Sequence, residues 1–406
     1  MKIAMVSEQV NPRAIAGGTD GGGRGRCVTG LARALARAGH DVVVHTRRED
    51  PQAPHRTPLC DGLTVEQVPA GPPRPIPRDT LLRHAGAFGG SLAESWSQER
   101  PDVVHAHAWM SGLAAMVGAR GLDLPVVQTF HALGTVERRH QGRADTSPPE
   151  RSRLEAAIGR SVRCVIATCH DEAEELVHMG VPRRRISVVP VGVDVDHLAE
   201  EGPTLARSSS KRLVTIGRLV RHRGIETIIE ALPRLPDVEL LVAGGSTGED
   251  LGEDPDVRRL RRCAFDRGVS DRVQLLGWVP HSDVPRLLRS ADVFVTMPWY
   301  EPSGTTALEA MACGRPVVAA AVGGLLDTVL DGASGLLVPP RRPDLLVSAL
   351  RMLLGDTLRR EEMGMFAGVH ARARYSWPRI AAETLQCYTS VLTEQPRAMA
   401  SMSPPR

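Results

Sequence analysis

With 406 residues the chain has room for two domains of roughly 150 to 200 residues, each with its own core. Hydrophobic residues make up 42%, and no run approaches the roughly 18 apolar residues that a membrane helix needs. A net charge of +3 and only 3% aromatic residues exclude the basic, aromatic-interleaved surface that single-stranded nucleic acid requires. The seven cysteines are scattered and form no C-x-x-C pair, so a reducing cytoplasm is the expected compartment.

Lys2 is followed at once by the apolar run Ile3 to Val6, which reads as a buried strand, and no export signal is expected. Further short apolar runs follow at Asp41–Arg47, Asp102–His107, Pro125–Phe130, Cys164–Cys169 and Ile186–Pro190, separated by segments with helical spacing such as Leu31, Leu35 and Ala38. Continuous apolar runs mean strands buried on both faces, and β-α alternation then predicts a parallel sheet with helices on either side. The polar stretch EEGPTLARSSSKR interrupts this pattern, and the alternation restarts at Leu213, Val238, Val273, Asp292, Pro316 and Leu336. The predicted fold class is therefore α/β, with two Rossmann-like domains facing each other across a cleft. The expected division is 1–198, a linker at 199–211, 212–376, a returning helix at 377–394 and a disordered tail at 395–406. A ligand is expected between the halves, at the carboxyl ends of the strands.

The segment TMPWYEPSGTTALEAMACGRPVV starts in a strand, passes through a loop and enters a helix predicted to begin near Ser303 and to run for about ten residues, closed by Cys313, Gly314 and Pro316. Ser303, Gly304, Thr305 and Thr306 offer hydroxyls and unpaired backbone N–H groups, which suit a phosphate. Glu309 lies about five residues in, roughly 7.5 Å along the axis, about the distance from a diphosphate to its ribose. Glu301, in the loop before the helix, points toward whatever sugar the phosphate carries. In GRLVRHRG, Gly217 ends a strand and Arg218 and Arg223 follow in the next loop, where guanidinium forks can hold a leaving diphosphate. Either arginine alone reads equally well as a solvated surface charge; the combination of segments is what points to a site.

Together, G-R-L and E-P-x-G-x-x-x-x-E resemble glycosyltransferase family 4, the retaining enzymes of the GT-B fold. Similar pieces are SVVPVGVD, GGSTGED, DGASGLLVPP and YSWPRIAAETLQCY, so the resemblance extends from residue 1 to about 392. It implies a hexosyl transfer from a nucleotide diphosphate sugar, a UDP-sugar being favoured, to a small polar acceptor, with no cofactor and no metal. It further implies that Glu301 contacts sugar hydroxyls, Glu309 the ribose, and Arg218 and Arg223 the diphosphate. The second basic position is usually lysine in the family, the residue after E-P is usually Phe rather than Ser303, and Asp327 stands where Glu is usual. The sucrose-phosphate synthase and mycothiol glycosyltransferase branch is the most similar, and an arginine-rich composition in which only Lys2 and Lys211 are lysine fits a GC-rich, actinobacterial genome.

That branch matches Gly22 and Gly23, in the loop AGGTDGGGRGR, to a segment closing over the diphosphate, and His131 to a histidine beside the donor sugar that acts as a positioning group. His105 and His107 alternate on one strand and share a face; without a carboxylate partner they do not make a metal set. His107, Trp109 and Arg78 are the expected acceptor contacts. Residues that grip an acceptor phosphate in the mycothiol branch are altered here, with Ala108, Ala132 and Glu137 in their places. A small hydroxylated acceptor is expected, with natural-product metabolism as the expected context, and a homodimer is the oligomeric form kept open. A membrane-surface lipid transferase would need a basic amphipathic helix, which the segment from Leu81 to Arg100 supplies only weakly. A nucleotide-sugar epimerase, which would convert the donor with no acceptor present, and a catalytically silent nucleotide-sugar binder also fit this architecture.

Overall fold

The computed structural model describes residues 1–8, 22–207, 209–245 and 251–393. Residues 16–21 of the glycine-rich loop, 246–250 of GGSTGED and the tail 395–406 lie outside them.

The first half forms an eight-stranded sheet from β1 (Lys2–Val6), β2 (Asp41–Arg47), β3 (Arg56–Cys60), β4 (Leu63–Val68), β5 (Val103–His107), β6 (Val126–Thr129), β7 (Cys164–Ala167) and β8 (Ile186–Val188). Its order is β3-β4-β2-β1-β5-β6-β7-β8, and every pair is parallel except β3 with β4. The second sheet holds β9 (Lys211–Ile216), β10 (Val238–Ala243), β11 (Val273–Gly277), β12 (Val293–Thr296), β13 (Val317–Ala320) and β14 (Gly335–Val338), all parallel, in the order β11-β10-β9-β12-β13-β14. Strand order reverses between β1 and β5 and again between β9 and β12. At such a reversal neighbouring connections leave toward opposite faces, and the crevice between them is where α/β folds place their ligands.

The central strands are buried because both faces are covered. In the first sheet Phe88, Leu92, Trp96 and Met110 pack on one side, while Val28, Leu35, Ile380 and Tyr388 pack on the other. The last two come from the helix Trp377–Thr393, which follows the second sheet in sequence and returns to the first domain. Trp377 seats against Gly30 of the helix Gly22–Arg37, where a Cβ would stand 2.2 Å from the indole. The Tyr388 hydroxyl reaches His105 Nδ1 at 2.7 Å. Among the described residues no helix is long and apolar enough to cross a membrane.

The hairpin β3–β4 was not expected from the sequence. β3 alternates exposed and half-buried residues around Pro58, and β4 buries Glu66 and Gln67. Glu66 is tolerated because His45, Arg56 and Ser95 surround its carboxylate. Against the penalty of burial, these partners hold its pKa down at about 2.

Candidate active site

The carboxyl ends of β9 and β12 open onto a cleft of about 680 Å³, closed on its far side by the first domain. Gly217, Arg218, His222 and Arg223 line it from the loop after β9, and Tyr300 to Ser303, Thr305, Thr306 and Glu309 from the segment after β12. Gly224 lets these two loops meet. It adopts φ +67°, and a Cβ there would fall 1.8 Å from the carbonyl of Met297. No residue with a side chain could occupy that position without separating the loops.

The helix after β12 runs from Thr305 to Ala312, eight residues with Gly304 as its left-handed cap, shorter than the ten expected and starting two residues later than Ser303. The loop before it makes the difference. Glu301, 8% exposed, turns back and accepts from the amides of Ser303 and Gly304 through Oε1, both at 3.3 Å. Its other oxygen forms an ion pair with Arg223. Two of the four amides read as a phosphate cradle, those of Ser303 and Gly304, are thus held by the protein's own carboxylate. Glu309 is also buried, at 4% exposure, and pairs at 3.4 Å with Arg26, which reaches it from the first domain. Arg26 was not singled out in the sequence; it stands in the arginine-containing end of the glycine-rich segment. Arg218 is exposed on the cleft wall.

From the first domain, Gly23 and Trp109 line the cleft, and Gly22 opens the same helix as Gly23. His131 lines it too, held at φ +63°, a strained conformation for a side-chain-bearing residue. Its Nε2 and His107 Nδ1 share a hydrogen bond of 3.0 Å, with the rings stacked 5.3 Å apart. His107 is buried behind His131 and is not a lining residue, which corrects the expectation that it touches an acceptor. Both β5 histidines face inward because β5 is a central strand with no solvated side. Arg78 begins a short turn of 3₁₀ helix, Arg78–His84, whose Leu82 lines the cleft; the side chain of Arg78 lies outside the described residues.

Further residues missed in the sequence join the domains. Tyr300 is sandwiched between His140 of the first domain and His222 of the second, with near-parallel rings 5.1 and 5.2 Å away, and it accepts from Gln141. Burial, then the Glu137 charge, pushes the Tyr300 hydroxyl up to about 12. Burial and the adjacent Arg218 and Arg223 lower His222 to about 4, so the sandwich is neutral near pH 7. Asp327 accepts from the His170 amide at 2.8 Å and lies 3.0 Å from its ring, an interdomain contact rather than a donor-facing one. Among the described residues no group of three or more His, Cys, Asp or Glu stands together as a metal set.

The family model of Glycosyltransferase Family 4 matches residues 21–197, and that of Glycosyl transferases group 1 matches 198–367. A D-inositol 3-phosphate glycosyltransferase from Catenulispora acidiphila is 33% identical over 96% of both chains. The chain belongs to glycosyltransferase family 4. Another D-inositol 3-phosphate glycosyltransferase, from Geodermatophilus obscurus, is 34% identical over 98% of this glycosyltransferase and 91% of the relative. Sucrose-phosphate synthase from Thermosynechococcus elongatus superposes with a TM-score of 0.85 at 28% identity, covering 97% of this chain and all of that one. Anabaena HepE, solved with UDP and glucose, has the same fold, with a TM-score of 0.73 at 19% identity over 96% of this chain and all of HepE. The enzyme is thus a GT-B glycosyltransferase with actinobacterial relatives.

Proposed function

We propose that the enzyme transfers a hexosyl group, with retention, from a nucleotide diphosphate sugar, a UDP-sugar being favoured, to a hydroxyl of a small polyol. The observation that carries this reading is the convergence of Arg218, Arg223, Glu301, Glu309 and the Thr305–Thr306 helix start on one wall of the cleft, opposite His131. Arg218 and Arg223 would bind the diphosphate, Glu309 the ribose and Glu301 the sugar hydroxyls, with His131 positioning the sugar. The acceptor oxygen forms its bond to the anomeric carbon on the face from which the diphosphate departs. The electron pair of the breaking C–O bond goes to the leaving phosphate oxygen, which takes the acceptor's proton. The arginines neutralise the charge that develops there, so no protein nucleophile and no metal ion is needed.

A lipid transferase working at a membrane surface is not favoured. Within the segment Leu81–Arg100 the helix Ala85–Gln98 turns Phe88, Leu92 and Trp96 into the core, and its exposed residues Gly86, Ala87, Gly90, Glu94, Ser97 and Gln98 include no cation; the segment's exposed arginines, Arg83 and Arg100, lie outside the helix, and Arg100 donates to the Leu122 and Asp123 carbonyls. The test is thermal stabilisation across UDP, GDP, ADP and dTDP sugars with EDTA present, followed by turnover with and without polyols. Stabilisation by one nucleotide family and acceptor-dependent nucleotide release support the reading. Turnover of donor to an epimer without acceptor, stabilisation without turnover, or a strict metal requirement would each overturn it.

A further inference from the structure

The acceptor side of the cleft is lined by His131, Ala132, Glu137, Gln141, Asp145 and Arg151, with Ser147 beside them. Of the two first-domain arginines that line the cleft among the described residues, Arg26 pairs with Glu309 and Arg151 stands beside this group, where its three nitrogens all have partners. Nη1 pairs with Glu137, Nε donates to Glu155 Oε1 at 2.7 Å, and Nη2 donates to the Ala132 carbonyl at 3.0 Å. Arg151 is 5% exposed and Glu155 fully buried, so this is a built network rather than a surface pair. Glu155 also accepts from the Gly134 amide at 2.8 Å, which fixes the carboxylate behind the arginine. Both residues line the cleft, and Glu137, with 21% of its side chain exposed against 6% for Arg151, is the partner that a ligand there would meet more readily.

Asp145, on the same wall, is no substitute for a cation. Although burial opposes its ionisation, the hydroxyl and amide of Ser147, at 2.6 and 3.0 Å, and Arg138, at 3.3 Å, hold its pKa below the usual value. The wall therefore presents carboxylates and neutral hydrogen-bonding groups, from Gln141 and Ser147. Hydroxyls satisfy both kinds, donating to carboxylates and accepting from the amide. A phosphate, carrying nearly two negative charges, would meet Glu137 first, and like charges brought together in a cleft repel.

We infer that the acceptor is a polyol without a phosphate group, and that Glu137 sets this preference by occupying Arg151. The inference rests on the glycosyltransferase reading above. It separates this enzyme from its inositol 3-phosphate relatives, whose names specify a phosphorylated acceptor.

Two measurements on the full chain test it, with the donor diphosphate site filled by the nucleoside diphosphate that the thermal panel selects. In the first, inorganic phosphate is titrated against wild type and Glu137→Gln. The variant should bind phosphate about tenfold or more tightly than wild type, because Arg151 regains a charge-assisted bond to offer. Equal phosphate affinity in the two, or tighter binding to wild type, would overturn the inference. Nucleotide binding by the variant shows that it is folded, and loss of nucleotide binding by wild type would instead sink the functional reading. In the second, kcat/KM is compared for myo-inositol against D-myo-inositol 3-phosphate and for glucose against glucose 6-phosphate. Preference for the phosphate-free member, with the ratio moving toward the phosphorylated one in Glu137→Gln, supports the inference. Preference for a phosphorylated member by wild type overturns it.

Discussion

Arg223→Ala separates the structural from the chemical work of one residue. Arg223 pairs with Glu301, the two side chains being 27% and 8% exposed. Removing one partner of a buried pair costs about 3 to 5 kcal/mol, mostly from stranding the other charge. The partial exposure of Arg223 places this pair at the low end, about 3 kcal/mol, since water can reach the vacated position and the two 3.3 Å amide contacts to Glu301 remain. At about 2–4 °C per kcal/mol for a domain of this size, Tm should fall by about 6–12 °C. Turnover should fall by about 10² to 10³, the usual effect of losing one preorganised charge at a developing anion. The double variant Arg223→Ala/Glu301→Gln, which leaves no stranded carboxylate, should recover stability to within about 1 kcal/mol of wild type and recover no activity. Arg218→Ala should show the complementary pattern, on the order of a hundredfold loss in turnover with little change in Tm, because Arg218 is exposed. Calorimetry and steady-state kinetics on the four proteins make the comparison. A stable, fully active Arg223→Ala, or a double variant no more stable than the single, would refute the reasoning.

Arg26→Ala removes the cross-domain partner of Glu309; donor kcat/KM should change less than about tenfold, because ribose hydroxyls can replace Arg26 on the carboxylate, whereas Glu309→Ala should lose about a hundredfold or more in the same assay. Burial, with the nearby charges of Glu155 and Asp171 adding to it, raises Glu172 to about 7 from 4.5. Between those values the folded state holds a proton that the unfolded state has lost, so the stability present below about pH 4.5 fades as pH rises toward 7. Glu172→Gln should therefore narrow the difference in Tm between pH 5 and pH 8, mainly by raising the value at pH 8, in a calorimetric pH series. Gly224→Ala should cost more than the roughly 1–2 kcal/mol of a left-handed side-chain-bearing residue, because its Cβ would meet the Met297 carbonyl, and turnover should fall with Tm as the two donor-side loops separate.

Strand-by-strand legibility followed burial. The central strands are continuous apolar runs, so their order of appearance and the α/β class could be read directly. β3 and β4 escaped because Pro58, Glu66 and Gln67 break the apolar signal, and the burial of Glu66 depends on Arg56 of β3 and on His45 and Ser95, which are distant in sequence. The same distinction runs through the candidate site. The residues proposed to hold the donor sit within two short segments, 217–224 and 301–309, and the meeting of those segments at one cleft was legible. The helix start was misplaced because Glu301 folds back onto amides that a reading of the helix alone leaves open. On the first-domain side, Arg26, Gln141, Arg151 and the His140–Tyr300–His222 sandwich are assembled from separate elements and carry no local motif.

These pairings explain how the cleft can be ordered before a ligand arrives. Two buried carboxylates on one wall of a ligand site would be expensive without counter-charges, and each has an arginine: Glu301 has Arg223 from its own domain, and Glu309 has Arg26 from the other. A nucleotide sugar brings hydroxyls for the carboxylates and a diphosphate for the arginines, so binding would exchange one set of satisfied charges for another rather than bury new ones. Glu137 and Arg151 form a similar pair on the opposite wall, but a second carboxylate, Glu155, is fixed behind the arginine. An anion displacing Glu137 would leave Glu137 without its arginine in a crowded cleft, whereas a neutral polyol can bind without breaking the pair. The wall proposed for the donor is thus suited to exchange with a charged ligand, and the wall proposed for the acceptor to a ligand that leaves its charges where they are.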